Sequence, residues 1–239
     1  MKLILKSKPK PNCTIIEGVP GFGFVSTIAT EYLIDHLKTK QIGSIFSEEL
    51  APTAIIHEGE VKDPISIYYN EKYNIVIVQA VTSIGGLEWD LAEALGELYK
   101  QFKAKELISV EGIQGPGIKD KIDAYAYTTN KKNEAKLKKA GIKKLEHGII
   151  LGVSGSLMIK TNHTLNATYI FAETMSNLPD SKAAAKVIES LDKYLGLKVD
   201  YKPLLKRAEE FEEKLKDLLR KTKEASQEKV RREAVPYVG

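Results

Sequence analysis

The chain has 239 residues, 43% hydrophobic and 28% charged, the makeup of an ordinary folded protein with material for one large core. Its net charge of +4 divides unevenly: residues 198–239 hold 12 Lys/Arg against 9 Asp/Glu, so the preceding body is almost neutral, poor material for tracking a phosphate backbone, and no nucleic-acid partner is expected. No stretch approaches the roughly 18 apolar residues of a membrane helix, the opening Met1–Lys6 is too short for a signal peptide, and a lone Cys13 excludes an internal disulfide and suits a reducing cytoplasm.

A β-branched run over Cys13–Glu17 predicts the first strand. Gly18, Pro20, Gly21 and Gly23 then enforce a tight turn, since Gly tolerates positive φ and Pro20 fixes φ inside the bend. The spacing is not that of a dinucleotide fingerprint or a phosphate loop, so the turn is read as a structural glycine loop. A helix follows, with Val25, Ile28, Ala29, Tyr32, Leu33 and Leu37 on one face. Strands are predicted at Gly43–Ser47, Thr53–His57, Ile65–Tyr69 and Tyr73–Ala80. Their closeness implies that part of the sheet is antiparallel, and the apolar run Ile75–Val78 implies a strand covered on both faces. After Gly85-Gly86 comes a helix carrying Leu87, Leu91, Ala94, Leu95, Leu98 and Phe102 on one face, then a strand at Leu107–Glu111 and a glycine loop from Gly112 to Gly117.

Strands are further predicted at Ala124–Thr128, Leu145–Leu151 and Thr168–Ala172, while Lys131-Lys132 and Lys138-Lys139 read as a solvated helix face. Ala184, Val187, Ile188, Leu191 and Leu195 form one more helical stripe, with Asp180 as N-cap and Gly196 as stop. Alternating strands and helices predict a three-layer α/β/α domain with a mixed sheet over residues 1–197. Beyond it, Leu204, Ala208, Phe211, Leu215, Leu218, Thr222 and Ala225 follow heptad steps, a helical arm over 198–230 whose apolar stripe needs a partner surface. That surface is either the chain's own domain or a second subunit. Residues 231–239 are read as a flexible tail.

Catalytic chemistry is thin. Three glycine loops after strand-like runs could outline a crevice with Glu17, Glu111 and Asp90 at its rim. The four histidines are scattered, however, Cys13 reads as a buried thiol, and Ser154 lacks nucleophile-elbow spacing. No catalytic residue, metal site or cofactor is assigned.

Two distant motifs carry a family resemblance. Glu17-Gly18-Val19-Pro20-Gly21-Phe22-Gly23-Phe24-Val25 with Ala29 and Leu33, and Pro179-Asp180-Ser181-Lys182-Ala183-Ala184-Ala185 with Val187, Ile188 and Leu191, together resemble the proteasome assembly chaperone family, archaeal branch. The resemblance implies a nucleoside-phosphorylase-like fold. It also implies a non-enzymatic, cytoplasmic, homo-oligomeric chaperone or adaptor that binds proteasome α subunits or the archaeal 20S particle. Activators of this type are similar to one another in a terminal hydrophobic–tyrosine–any-residue signature, which Pro236-Tyr237-Val238 matches in order. Val235, Pro236, Tyr237 and Val238 are therefore the expected partner-binding residues, and Leu204, Ala208, Phe211, Leu215 and Leu218 the expected oligomer interface. Gly239 departs from the pattern, setting the carboxylate about 3.5 Å too far out if extended. Two alternatives stay open: an enzyme acting on a nucleoside-like molecule at the glycine loops, and a scaffold for another protein.

Overall fold

A computed structural model describes residues 1–57, 59–115, 122–162, 164–174 and 178–206. Strands β1 (Lys2–Leu5), β2 (Thr14–Gly18), β3 (Lys40–Phe46), β6 (Ile65–Asn70), β7 (Ile75–Ala80), β8 (Glu106–Gln114), β9 (Ala124–Thr128), β10 (Lys143–Lys144) and β11 (Ala167–Thr174) form one sheet. Its order is β1-β3-β6-β7-β2-β8-β11-β9-β10, and β4 (Ile55–His57) and β5 (Glu60–Lys62) make a separate hairpin. The central four strands, β7-β2-β8-β11, run parallel. The strands beside them, β6 and β9, are antiparallel to the block. The mixed α/β/α architecture expected from the sequence is the one observed.

Strand parity divides the core. Ile15, Val76, Val78, Leu107, Tyr169 and Phe171 face a layer that includes Leu91, Leu95, Val153 and Leu157, from helices α2 (Glu88–Gln101) and α4 (Gly152–Thr161). Their neighbours Ile16, Ile75, Ile77, Ile108, Ile170 and Ala172 face Ala29, Leu33, Val187 and Leu191, from α1 (Val25–His36) and α5 (Ser181–Leu195). Burial of successive residues on opposite faces is what turns a near-continuous apolar run into a two-sided central strand. Helix α3 (Lys131–Lys139) buries only Leu137 and leaves its lysines on the outside, as the charge pattern predicts.

One predicted strand is absent. Residues 145–151 are irregular, and α4 begins directly after them. Leu145 bonds to the Ala126 carbonyl at 2.8 Å, but Ile149 and Leu151 stand 89% and 75% exposed. Their apolar character reflects no ladder. The helix escaped notice because Gly152, Ser154, Gly155 and Ser156 are weak helix formers.

Candidate functional site

The C-terminal edge of the parallel block is built from the two sequence motifs. Gly18 ends β2 against Thr30 of α1, where a β-carbon would collide with the threonine side chain. A 3-10 turn over Phe22–Phe24 follows, and Gly23 sits in the left-handed region at φ 67°. A β-carbon there would also lie 2.8 Å from Thr174 Oγ1 at the end of β11. The Asp180 N–H donates to the Gly23 carbonyl at 2.9 Å. Asp180 then accepts from Thr174 Oγ1 at 2.6 Å and, as N-cap of α5, from the Ala183 N–H at 2.9 Å. One aspartate thus ties the first motif, the last parallel strand and the second motif together. Gly112 completes the junction, because a side chain there would strike the Phe22 carbonyl.

Beneath this loop lie the carboxyls of Glu17, which is buried, and Glu111, which is half-buried. Glu17 continues the parity of Ile15, and Ser109 and Glu111 that of Leu107, so all three point to the α2/α4 face. The register sets Glu17 and Tyr169 on either side of Ser109. Ser154, in the first turn of α4, covers the row, and its Oγ lies 3.0 Å from Ser109 Oγ. Ser109 is the strand partner of Glu17, and the Ser109 and Ser154 hydroxyls favour the ionised forms of Glu17 and Glu111 respectively. Glu17 is 1% exposed. The Oε2 atom of each carboxyl is buried and lacks a hydrogen-bond partner among the described residues.

Desolvation dominates the electrostatics. It pushes Glu17 up to about 8, with the Ser109 hydroxyl opposing the rise and the neighbouring Glu111 charge adding to it. It also pushes Glu111 up to about 7, against the influence of the Ser154 hydroxyl. Tyr169 is raised by the same burial, and its hydroxyl shares a 2.6 Å hydrogen bond with Thr161 Oγ1.

A sequence profile of the PAC2 family matches residues 15–219. The chain belongs to the PAC2 family. An uncharacterized protein of Methanocaldococcus jannaschii is 30% identical over 223 residues, covering 91% of this chain and 90% of its own. Among solved structures, Pyrococcus furiosus PbaA, described as an archaeal homolog of proteasome-assembly chaperone, superposes with a TM-score of 0.83. It is 31% identical, with all of both chains covered. P. furiosus PbaB, described as an archaeal proteasome activator, gives 0.79 at 25% identity over 91% of this chain and 98% of its own.

Within this PAC2 fold the predicted site residues fall unevenly. Gly18, Pro20, Gly21 and Gly23 form one loop, and it meets Gly112, which lies within strand β8 rather than in the predicted loop, while Pro116 and Gly117 lie outside the described residues. Asp90 is exposed on the first turn of α2, while Glu17 is sealed beneath the loop rather than at a rim. Gly85 and Gly86 make no close approach that a β-carbon would obstruct. Leu204 is 7% exposed and packs with the α1/α5 layer of its own chain. Ala208, Phe211, Leu215, Leu218, Val235, Pro236, Tyr237 and Val238 lie outside the described residues. Cys13 is buried, and desolvation pushes its thiol up to about 11, as befits an inert core position. His36 stacks on Tyr32 at 5.7 Å. Sequence reasoning missed Ser109 altogether, and it dismissed Ser154 for lacking a nucleophile's spacing. The available signal was polar residues at alternate positions, Ser109 and Glu111, inside an otherwise apolar strand.

Proposed function

We propose that this PAC2 family member is a non-enzymatic, homo-oligomeric chaperone or adaptor of the archaeal 20S proteasome, working in the cytoplasm. The observation that carries the reading is the likeness to PbaA over the whole of both chains, supported by PbaB, whose description is an archaeal proteasome activator. The chain's own residues supply the means. The heptad positions Ala208, Phe211, Leu215 and Leu218 join subunits, and Val235, Pro236, Tyr237 and Val238 dock between α subunits. A short tail buries little surface and binds weakly alone, but several on one oligomer raise avidity by roughly 10²–10⁴.

The test is surface-plasmon binding to 20S proteasome, with light scattering for subunit number. Tyr237→Ala is expected to cost about 2 kcal/mol per tail, the usual scale for an interfacial tyrosine. Multiplied through avidity, that removes nearly all binding while fold and oligomer persist. Deleting Gly239 is expected to strengthen binding. Equal binding by wild type and Tyr237→Ala excludes the tail, and a monomer in solution excludes the avidity mechanism. Access argues against the nucleoside-enzyme alternative, because the free oxygens of Glu17 and Glu111 each expose less than 1 Å².

A further inference from the structure

An apolar groove opens at the β9 edge of the sheet. β10 pairs β9 only at Tyr125 and Ala126, and past that point Tyr127 and Thr128 line a groove of about 660 Å³. Leu137 of α3 and Ile142 of the turn after it complete the apolar wall. The rim is basic. Residues 131–144 hold seven lysines against Glu134, and Lys138, Lys143 and Lys144 stand at the groove itself. Lys143 is paired with Asp123 at 2.6 Å and Lys144 lies 3.9 Å from Glu134, whereas Lys138 has no ion pair among the described residues.

A segment that complements this groove lies in the same sequence. Beyond Lys206, the heptad positions Ala208, Phe211, Leu215 and Leu218 continue the steps of Leu204, and Glu209, Glu210, Glu212 and Glu213 crowd around Phe211. The arm thus opens with an apolar stripe set in negative charge, and the groove offers an apolar wall set in positive charge. A helix with such a stripe needs a surface to cover it.

The layout of the helical layer decides which copy of the groove the arm meets. α1 packs over β2, β7 and β8, α5 over β8, β11 and β9, and α3 over β9 and β10, so α5 stands between α1 and α3. On the α3 flank of α5, Lys136 Nζ lies 4.3 Å from the centre of the Tyr194 ring. The chain leaves on the opposite flank, where the Tyr32 hydroxyl of α1 donates to the Asp200 carbonyl at 2.5 Å and Leu204 is buried in the α1/α5 layer. With neighbouring helices spaced by about 8–10 Å, the groove lies roughly 20 Å from that exit. As a helix, the stretch from Leu204 to Phe211 spans only about 10 Å, so Phe211 falls short of the groove in its own chain. We propose that the arm of one copy seats Phe211 and Leu215 in the α3–β9 groove of a second copy. This inference rests on the homo-oligomeric reading and names the surface through which subunits join. Because exit and groove are different surfaces, the contact is head-to-tail and builds a ring where the rotation closes.

The experiment mixes two full-length variants, Phe211→Cys and Lys138→Cys, and oxidises them; the native Cys13 is buried. A disulfide-linked pair of chains is expected in the mixture and not in either variant alone. Light scattering without proteasome gives the subunit number. There, Lys138→Glu, a change at an exposed position, is expected to weaken association about tenfold at low salt and less at high salt. A cross-link that forms only inside a chain carrying both cysteines, at the mass of one chain, overturns the exchange between copies. Oligomers without any cross-link, or association untouched by Lys138→Glu, overturn the groove as the seat of the arm and leave the homo-oligomer standing. A monomer throughout overturns both.

Discussion

The two ends of β8 carry the same residue type under opposite arrangements. At the N-terminal end, buried Glu106 accepts at one oxygen, Oε1, from Thr168 Oγ1 at 2.6 Å, Tyr194 OH at 2.7 Å and Asn133 Nδ2 at 2.9 Å. These donors come from β11, α5 and α3, so one carboxylate pins three elements to the sheet. At the C-terminal end, the buried Oε2 atoms of Glu111 and of Glu17 on the adjacent strand have no hydrogen-bond partner among the described residues. Burial alone therefore does not dictate how a carboxyl behaves. Three converging donors hold the Glu106 carboxyl in place, whereas desolvation without such donors raises Glu17 and Glu111 above the ordinary carboxylate range. The first arrangement anchors the fold, and the second can respond to pH.

The contrast is open to attack at both ends. Glu106→Ala strands three buried donors and is expected to cost about 3 kcal/mol of unfolding free energy. A loss under about 1 kcal/mol in urea titration would mean that Glu106 anchors nothing. At the other end, Gly23→Val forces a branched side chain into φ 67° against Thr174. A cost of about 1–3 kcal/mol is expected, measurable by the same titration; wild-type stability would show that the loop readily adopts another conformation.

A pH series separates the two carboxyl environments most cleanly. In the folded chain Glu17 holds a proton that the unfolded chain releases near the ordinary value of 4.5. Stability therefore falls as pH rises from there to about 8, by about 1.4 kcal/mol per pH unit for each proton so held. Below the ordinary value both states are protonated and this slope vanishes. Glu17→Gln is expected to match wild type at the acidic end and to become progressively the more stable above it. Parallel stability profiles for the two proteins from acidic to alkaline pH would show that Glu17 is ionised throughout.

Much of this was legible along the chain. Helical stripes announced α1, α2 and α5, the run Ile75–Val78 announced a central strand, and Gly18 to Gly23 announced a tight turn, because each signal depends on local periodicity or backbone freedom. Glu17 and Glu111 also stood out as carboxyls at strand ends. Other features were decided only by tertiary pairing. The apolar segment 145–151 gains no ladder and stays irregular. Asp180 reaches the Gly23 carbonyl from the far end of the chain, and Ser154 meets Ser109 across the interface between α4 and the sheet. A strand's period states which face a residue points to, and a helix's period states which side it buries. Neither states which other strand or helix will lie opposite, and it is that neighbour that decides whether a buried glutamate meets three donors or another glutamate.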